Sequence, residues 1–138
     1  MKLYKNFNIS KNHKKSIILI GNFDGVHLGH QKLFKIANSY KKKFNINIGV
    51  LTFEPMPKMF FNKNIKNFRI SNVDQKNKIL KDLGVDFLIT KNFDKNFSKI
   101  KSDFFIKEIL SKKLNAKYIF VSNNFRFGNK RKGDVKQL

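Results

Sequence analysis

Short apolar runs of strand length recur along this chain, with amphipathic stretches of helical length between them, and that alternation narrows the fold more than any other feature. Ser16-Ile-Ile-Leu-Ile-Gly21 is a continuous apolar run, as expected for a strand buried on both faces of a parallel sheet. Ile46 to Phe53, Asp86 to Thr90 and Lys117 to Val121 read as three further strands. From Leu28 to about Lys43, the residues Leu33, Ala37, Tyr40 and Phe44 recur at helical spacing. Asp74 to Leu83 reads as a second helix, with Ser71 as N-cap and Gly84 as the stop. A third starts at Ser102 and carries Phe105, Ile106, Ile109, Leu110 and Leu114 on one side. This order predicts an α/β fold over residues 1–138: a Rossmann-like open parallel sheet with right-handed crossovers. Such sheets bind ligands at the carboxyl ends of their strands.

Composition removes several classes of function. With 138 residues, 41% of them hydrophobic, and 16 phenylalanines, the chain has core material for one domain and is no disordered tail. The absence of cysteine excludes disulfides, thiolate metal sites and a cysteine nucleophile. The first apolar run is too short for a signal-peptide core or a membrane span, which predicts a cytoplasmic protein. A net charge of +21 invites a polyanion partner. Yet only Arg69, Arg126 and Arg131 among the 30 basic residues are arginines, and the lysines are spread among Asn and Ile along the whole chain. Those residue types share AT-rich codons, so drift in base composition accounts for the charge as well as a function does. The expected consequence is salt-sensitive, non-specific association with nucleic acid.

The end of the first run carries the densest chemistry: Gly21-Asn22-Phe23-Asp24-Gly25-Val26-His27-Leu28-Gly29-His30-Gln31. Two glycines flank a tight turn that opens a helix, and a helix N-terminus with its unpaired N–H groups suits a phosphate. His27 and His30, three apart, share one side of the first turn, and Gly29 lets a phosphate or sugar approach the backbone. Two imidazoles with helix amides can stabilise charge on a phosphoryl group in transfer. The same residues admit a metal site with Asp24 as third ligand, or simply a tight connection. The joint pattern is rarer than its parts.

This run resembles the His-x-Gly-His signature of the nucleotidyltransferase superfamily, and in its extended form that of bacterial FAD synthetase. Further segments resemble the same family in the same order: Leu51-Thr-Phe-Glu-Pro-Met-Pro57, Lys78-Ile-Leu-Lys-Asp-Leu-Gly-Val-Asp86, and Val121-Ser-Asn-Asn-Phe-Arg-Phe-Gly128 with Gly133-Asp134 behind it. The resemblance implies transfer of the adenylyl group of ATP to FMN, giving FAD and pyrophosphate, with Mg²⁺ on the ATP. His27 and His30 match the signature histidines that stabilise the phosphates and the transition state. Gly21, Asn22, Phe23, Asp24, Gly25 and Gly29 fall in the loop that holds the nucleotide, and Asn124 matches a polar residue on its nucleotide side. Pro55, Pro57, Phe61 and Phe127 fall where the resemblance implies the flavin pocket. Arg126, Lys130 and Arg131 lie in a glycine-rich flap that either meets phosphates or is a solvated loop.

There are departures as well. Met56 stands where the family has His, and Ser122 where it has Gly. The family's later Ser/Thr-Ser/Thr-x-x-Arg motif and its riboflavin kinase module have no match, which predicts a domain lacking its C-terminal part. Two other readings stay open: another adenylyl- or cytidylyltransferase, and a non-catalytic nucleotide- or nucleic-acid-binding remnant.

Overall fold

A computed structural model describes residues 1–24, 28–62, 73–123 and 125–138. Its centre is a five-stranded sheet built from β1 (Lys2–Tyr4), β2 (Ile17–Ile20), β3 (Ile48–Glu54), β4 (Phe87–Asn92) and β5 (Tyr118–Phe120). The strands lie in the order β1-β4-β3-β2-β5, and every pairing is parallel. The predicted parallel sheet is therefore present, and four of its strands fall within two residues of their expected bounds. The α-helices are α1 (Leu28–Phe44), α2 (Pro57–Phe61), α3 (Val73–Asp82), α4 (Lys95–Ser98) and α5 (Ser102–Phe104). Helix α5 continues without a break into a segment wound with the wider π spacing, Phe105–Lys113. Gly84 follows α3 with φ of +92°, the left-handed stop that the sequence predicts, whereas Ser71, its expected cap, lies outside the described residues.

Alternation along the strands sorts the core into two layers. Ile17 and Leu19 of β2, Ile48 and Val50 of β3 and Leu88 of β4 point to one face, where Phe34 and Ala37 of α1 and Leu80 of α3 cover them. Ile18, Ile20, Leu51, Phe87 and Ile89 point to the other, under Phe105, Ile109, Leu110 and Leu114. Phe7 and Ile9, from the connection between β1 and β2, join this second layer. Both faces of the central strands are thus covered, as continuous apolar runs require.

Strand β1 is not among the strands read from the sequence, the first of which starts at Ser16. Lys2, Leu3 and Tyr4 carry no strand pattern of their own; pairing with Phe87, Leu88 and Ile89 on the edge of β4 makes them a strand. An aromatic cluster anchors them. The ring of His13 stacks on Phe87 at 4.5 Å, and the Tyr4 ring meets both edge-on. The Tyr4 hydroxyl lies 2.7 Å from His13 Nδ1.

Phe87 is also what makes Gly49 necessary. The two are paired across β3 and β4, and a Cβ on residue 49 would clash with the Phe87 ring. Gly49→Ala is therefore expected to cost about 1–3 kcal/mol through overpacking. Thermal melts should show the loss shrink when Phe87→Leu is added in the same chain; equal losses in both backgrounds would sink this account.

His13 supplies a pH dependence. Burial, with a lesser contribution from Lys2, holds its pKa below the ordinary 6.5, against an opposing pull from Asp86. The folded state then binds fewer protons than the unfolded chain, so this contribution is present above about pH 6.5 and lost as pH falls and the folded imidazole protonates. The thermal midpoint of His13→Phe should fall less steeply than wild type between about pH 7.5 and about pH 5.5. Parallel slopes would place the titration elsewhere.

Candidate active site

Strand β2 lies between β3 and β5, so the chain leaves it in one direction through α1 and returns on its other side through the helix after Ser102. That reversal is the switch point where an open α/β sheet leaves a crevice at the carboxyl ends of its strands. The connection that leaves β2 at Gly21 and the one that leaves β5 at Val121 both start there.

Within the first loop the chain is pinned on either side. Gly21 donates its N–H to the Leu51 carbonyl at 3.1 Å, continuing the ladder one residue past β2. Phe23 then adopts φ of +51° and drives its ring into the core, where it is 2% exposed. A side chain at Gly21 would crowd that ring at 3.2 Å. The Phe23 ring sits 5.3 Å from Phe34 and, edge-on, 5.0 Å from the ring of His30. His30 is the third residue of α1, half-buried, with Nδ1 shielded from solvent. The turn thus acts on the imidazole: Phe23 is a buried support beside His30.

Of the residues singled out in the sequence, Gly21, Asn22, Asp24, Gly29 and His30 gather at this turn, whereas Gly25, His27 and Asn124 lie outside the described residues. Pro55 follows a cis peptide bond at the end of β3, Met56 is buried, and Pro57 opens α2. Phe61 is 67% exposed and stands against Phe60 and Phe93, with ring centroids at 5.2 and 5.8 Å. Phe93 also meets Phe53 and Phe97, so a cluster of five phenylalanine rings closes the carboxyl ends of β3 and β4. Phe60 and Phe93 escape a reading by motif; Phe93 directly follows β4, which runs two residues beyond the predicted strand.

Phe127 is largely core: its ring is 8% exposed and packs at 5.5 Å on both Phe105 and Phe125. The segment around it folds back on itself, with paired bonds between Phe127 and Gly133, and lies on the start of α5. Gly128, at φ of +78°, comes so close that a Cβ would stand 2.7 Å from the Ser102 amide. Arg126 is half-exposed and reaches Asp134 at 3.8 Å, a contact worth little on its own.

One cation at this edge escapes the sequence reading. Lys76 of α3 donates to the Thr52 hydroxyl at 3.0 Å, and Thr52 is buried one residue beyond the strand level of Ile20. This puts its ammonium on the face of the sheet that α1 covers. A lysine on a helix surface carries no signal by itself.

The sheet order, the switch-point loop and the histidine on the first turn of α1 define a doubly wound α/β domain of nucleotidyltransferase type. Its family is shown by comparison: the chain belongs to the FAD synthetase family, whose model matches residues 9–138. A bifunctional riboflavin kinase/FMN adenylyltransferase of Buchnera aphidicola subsp. Schizaphis graminum is 41% identical over all of this chain, which covers 45% of that protein. The protein of the same description from Escherichia coli K12 is 35% identical over 97% of this chain and 44% of its own length. A crystal structure described as a macrolide-efflux protein from Streptococcus pneumoniae superposes with a TM-score of 0.83 at 29% identity, covering 98% of this chain and 44% of that one. Among the described residues no helix is long and apolar enough to cross a membrane. The chain spans under half the length of these two curated relatives.

Proposed function

We propose that this domain transfers the adenylyl group of ATP to FMN, giving FAD and pyrophosphate. The observation that carries the reading is His30, braced by the Phe23 turn on the first turn of α1 at the switch point, in a chain of the FAD synthetase family. In this reading a phosphate oxygen of FMN attacks the α-phosphorus of ATP, the bond to the β-phosphate oxygen breaks, and pyrophosphate leaves with the electron pair. The nucleophile is already an anion, so no general base is needed and the rate rests on positioning and charge stabilisation. His27 and His30 hold the phosphates, with Nε2 of His30 as the donor because Nδ1 is buried. The backbone of 21–25 and Gly29 lies along the nucleotide, Asn124 contacts its polar side, and Arg126 reaches the phosphates from the flap.

Enzymes of this kind need a divalent cation. Among the described residues no three His, Asp or Glu side chains gather to hold one. In this reading the ion is Mg²⁺ and accompanies ATP as part of the substrate. Pro55, Pro57 and Phe61 would form the apolar wall for the isoalloxazine ring, and Phe60 and Phe93 extend it. Both substrates are cytoplasmic metabolites, and a riboflavin kinase domain would accompany this one in the full-length protein.

FAD formation from FMN, ATP and Mg²⁺ by the full-length protein, followed by chromatography with fluorescence detection, tests the reading. His30→Ala is expected to lower turnover about 10²–10³-fold, as for the loss of one donor to developing charge. No FAD from the wild type would overturn the proposal, and a loss below about threefold would remove His30 from it.

A further inference from the structure

The opposite end of the sheet, where the strands begin, is built as a surface of its own. Three connections lie side by side there: the Lys15 N–H donates to the Asn115 carbonyl at 3.0 Å, that of Lys117 to Ser16 at 2.9 Å, and that of Ile17 to Asn47 at 2.9 Å. This brings Lys14, Lys15 and Lys117 next to the last turn of α1, with Lys42 and Lys43, and the end of the π-wound segment, with Lys112 and Lys113. All seven are exposed.

An aromatic ring stands among them. Phe44, the last residue of α1, is 40% exposed, with the ammonium groups of Lys43 and Lys117 at 5.3 and 5.7 Å from its centroid. Tyr118 stacks against it at 5.7 Å and Tyr40 meets it edge-on at 5.8 Å, so the ring is held rigidly.

Helix ends alone do not explain so many lysines. Two helix C-termini carry about half a negative charge each, roughly one in all, against seven ammonium groups. The nearby carboxylates are already engaged: Glu108 holds Lys112 at 3.0 Å, and Asp86 holds Lys41 at 2.8 Å. An excess of cations around a braced, accessible ring fits a ligand that offers phosphates and flat faces together. A duplex hides its base faces, a simple anion has none, and a free nucleotide has too few phosphates for cations spread over three connections, which favours a single strand.

We propose that this edge binds single-stranded nucleic acid, with Phe44 as the stacking platform and Lys14, Lys15, Lys43 and Lys117 as phosphate contacts. The surface is independent of the adenylyl-transfer reading, since the parallel strands put the two sites at opposite ends of the sheet.

Fluorescence anisotropy with a labelled thymidine strand of about twenty nucleotides, titrated over a range of salt, tests this. Phe44→Ala should weaken binding about 5- to 100-fold, while Phe44→Tyr keeps it. Phe44→Leu retains the apolar contact with Tyr118 and should bind as weakly as the alanine variant, which separates stacking from folding. The Lys43→Gln/Lys117→Gln pair should reduce the slope of log affinity against log salt by about 1.4, or about 0.7 for each phosphate that is no longer neutralised. Lys95→Gln/Lys99→Gln, on the opposite end of the molecule, should leave the slope near that of wild type. The proposal is overturned if Phe44→Ala and Phe44→Leu bind like wild type, if an abasic strand of equal length binds as tightly as thymidine, or if the control pair moves the slope as far.

Discussion

Because β3 and β5 leave β2 on opposite sides, right-handed crossovers must carry α1 and α3 over one face of the sheet and the helix from Ser102 over the other. Helices on opposite faces diverge at the carboxyl end of β2, and the loop that starts there has to shape itself without a helix above it. The shape comes from Phe23. Its left-handed backbone costs about 1–2 kcal/mol, which burial of an aromatic ring offsets at about 1.5–3 kcal/mol. The loop is held from beneath by the core, and the same ring that offsets the strain sets the plane of His30. Fold and site therefore share one contact.

A second constraint runs across the strands. Phe87 fills the space over Gly49, and its other surroundings are His13 and Tyr4. One ring thus links the inner strand β3, the connection before β2 and the edge strand β1. A connection from β1 to β2 has to pass β4 and β3, roughly 14 Å at the usual strand spacing. Phe7 and Ile9 let it do so as part of the core rather than as a free loop.

Much of this was legible in the sequence, for identifiable reasons. Strands buried on both faces write themselves as runs such as Ile17–Ile20, and helices with one covered face write themselves at helical spacing, as in Leu33, Ala37 and Tyr40. The turn at Gly21–Gly29 was legible because glycine and histidine are informative types at that spacing. What stayed hidden depends on partners distant in sequence. Lys2–Tyr4 is a strand only because β4 offers an edge, and Gly49 is explained only by the residue paired with it. Phe61 and Phe127 are the same residue type in equally suggestive segments, yet one faces solvent and the other lies in the core; only the fold-back onto Ser102 separates them. Lys76 looks like any surface lysine until Thr52 is found beneath it.

Parallel strands joined by crossover helices also sort the helix dipoles, with N-termini near the carboxyl ends of the strands and C-termini near their amino ends. The chain answers the two ends differently. At the amino ends the final turns of α1 and of the π-wound segment are lysine-rich, which suits their partial negative charge. At the carboxyl ends α3 carries Asp74 and α5 carries Asp103 in the first turn, so each supplies its own counter-charge. Helix α1 does not: its first turn is Leu28-Gly29-His30-Gln31, with no acidic side chain. A helix start without an acidic residue in its own first turn, at the switch point of the sheet and beside a braced imidazole, suits the phosphate binding proposed above. The overall charge of +21 says little about this, because it is shared by every surface. What sets α1 apart from α3 and α5 is a first turn that carries His30 and no acidic residue.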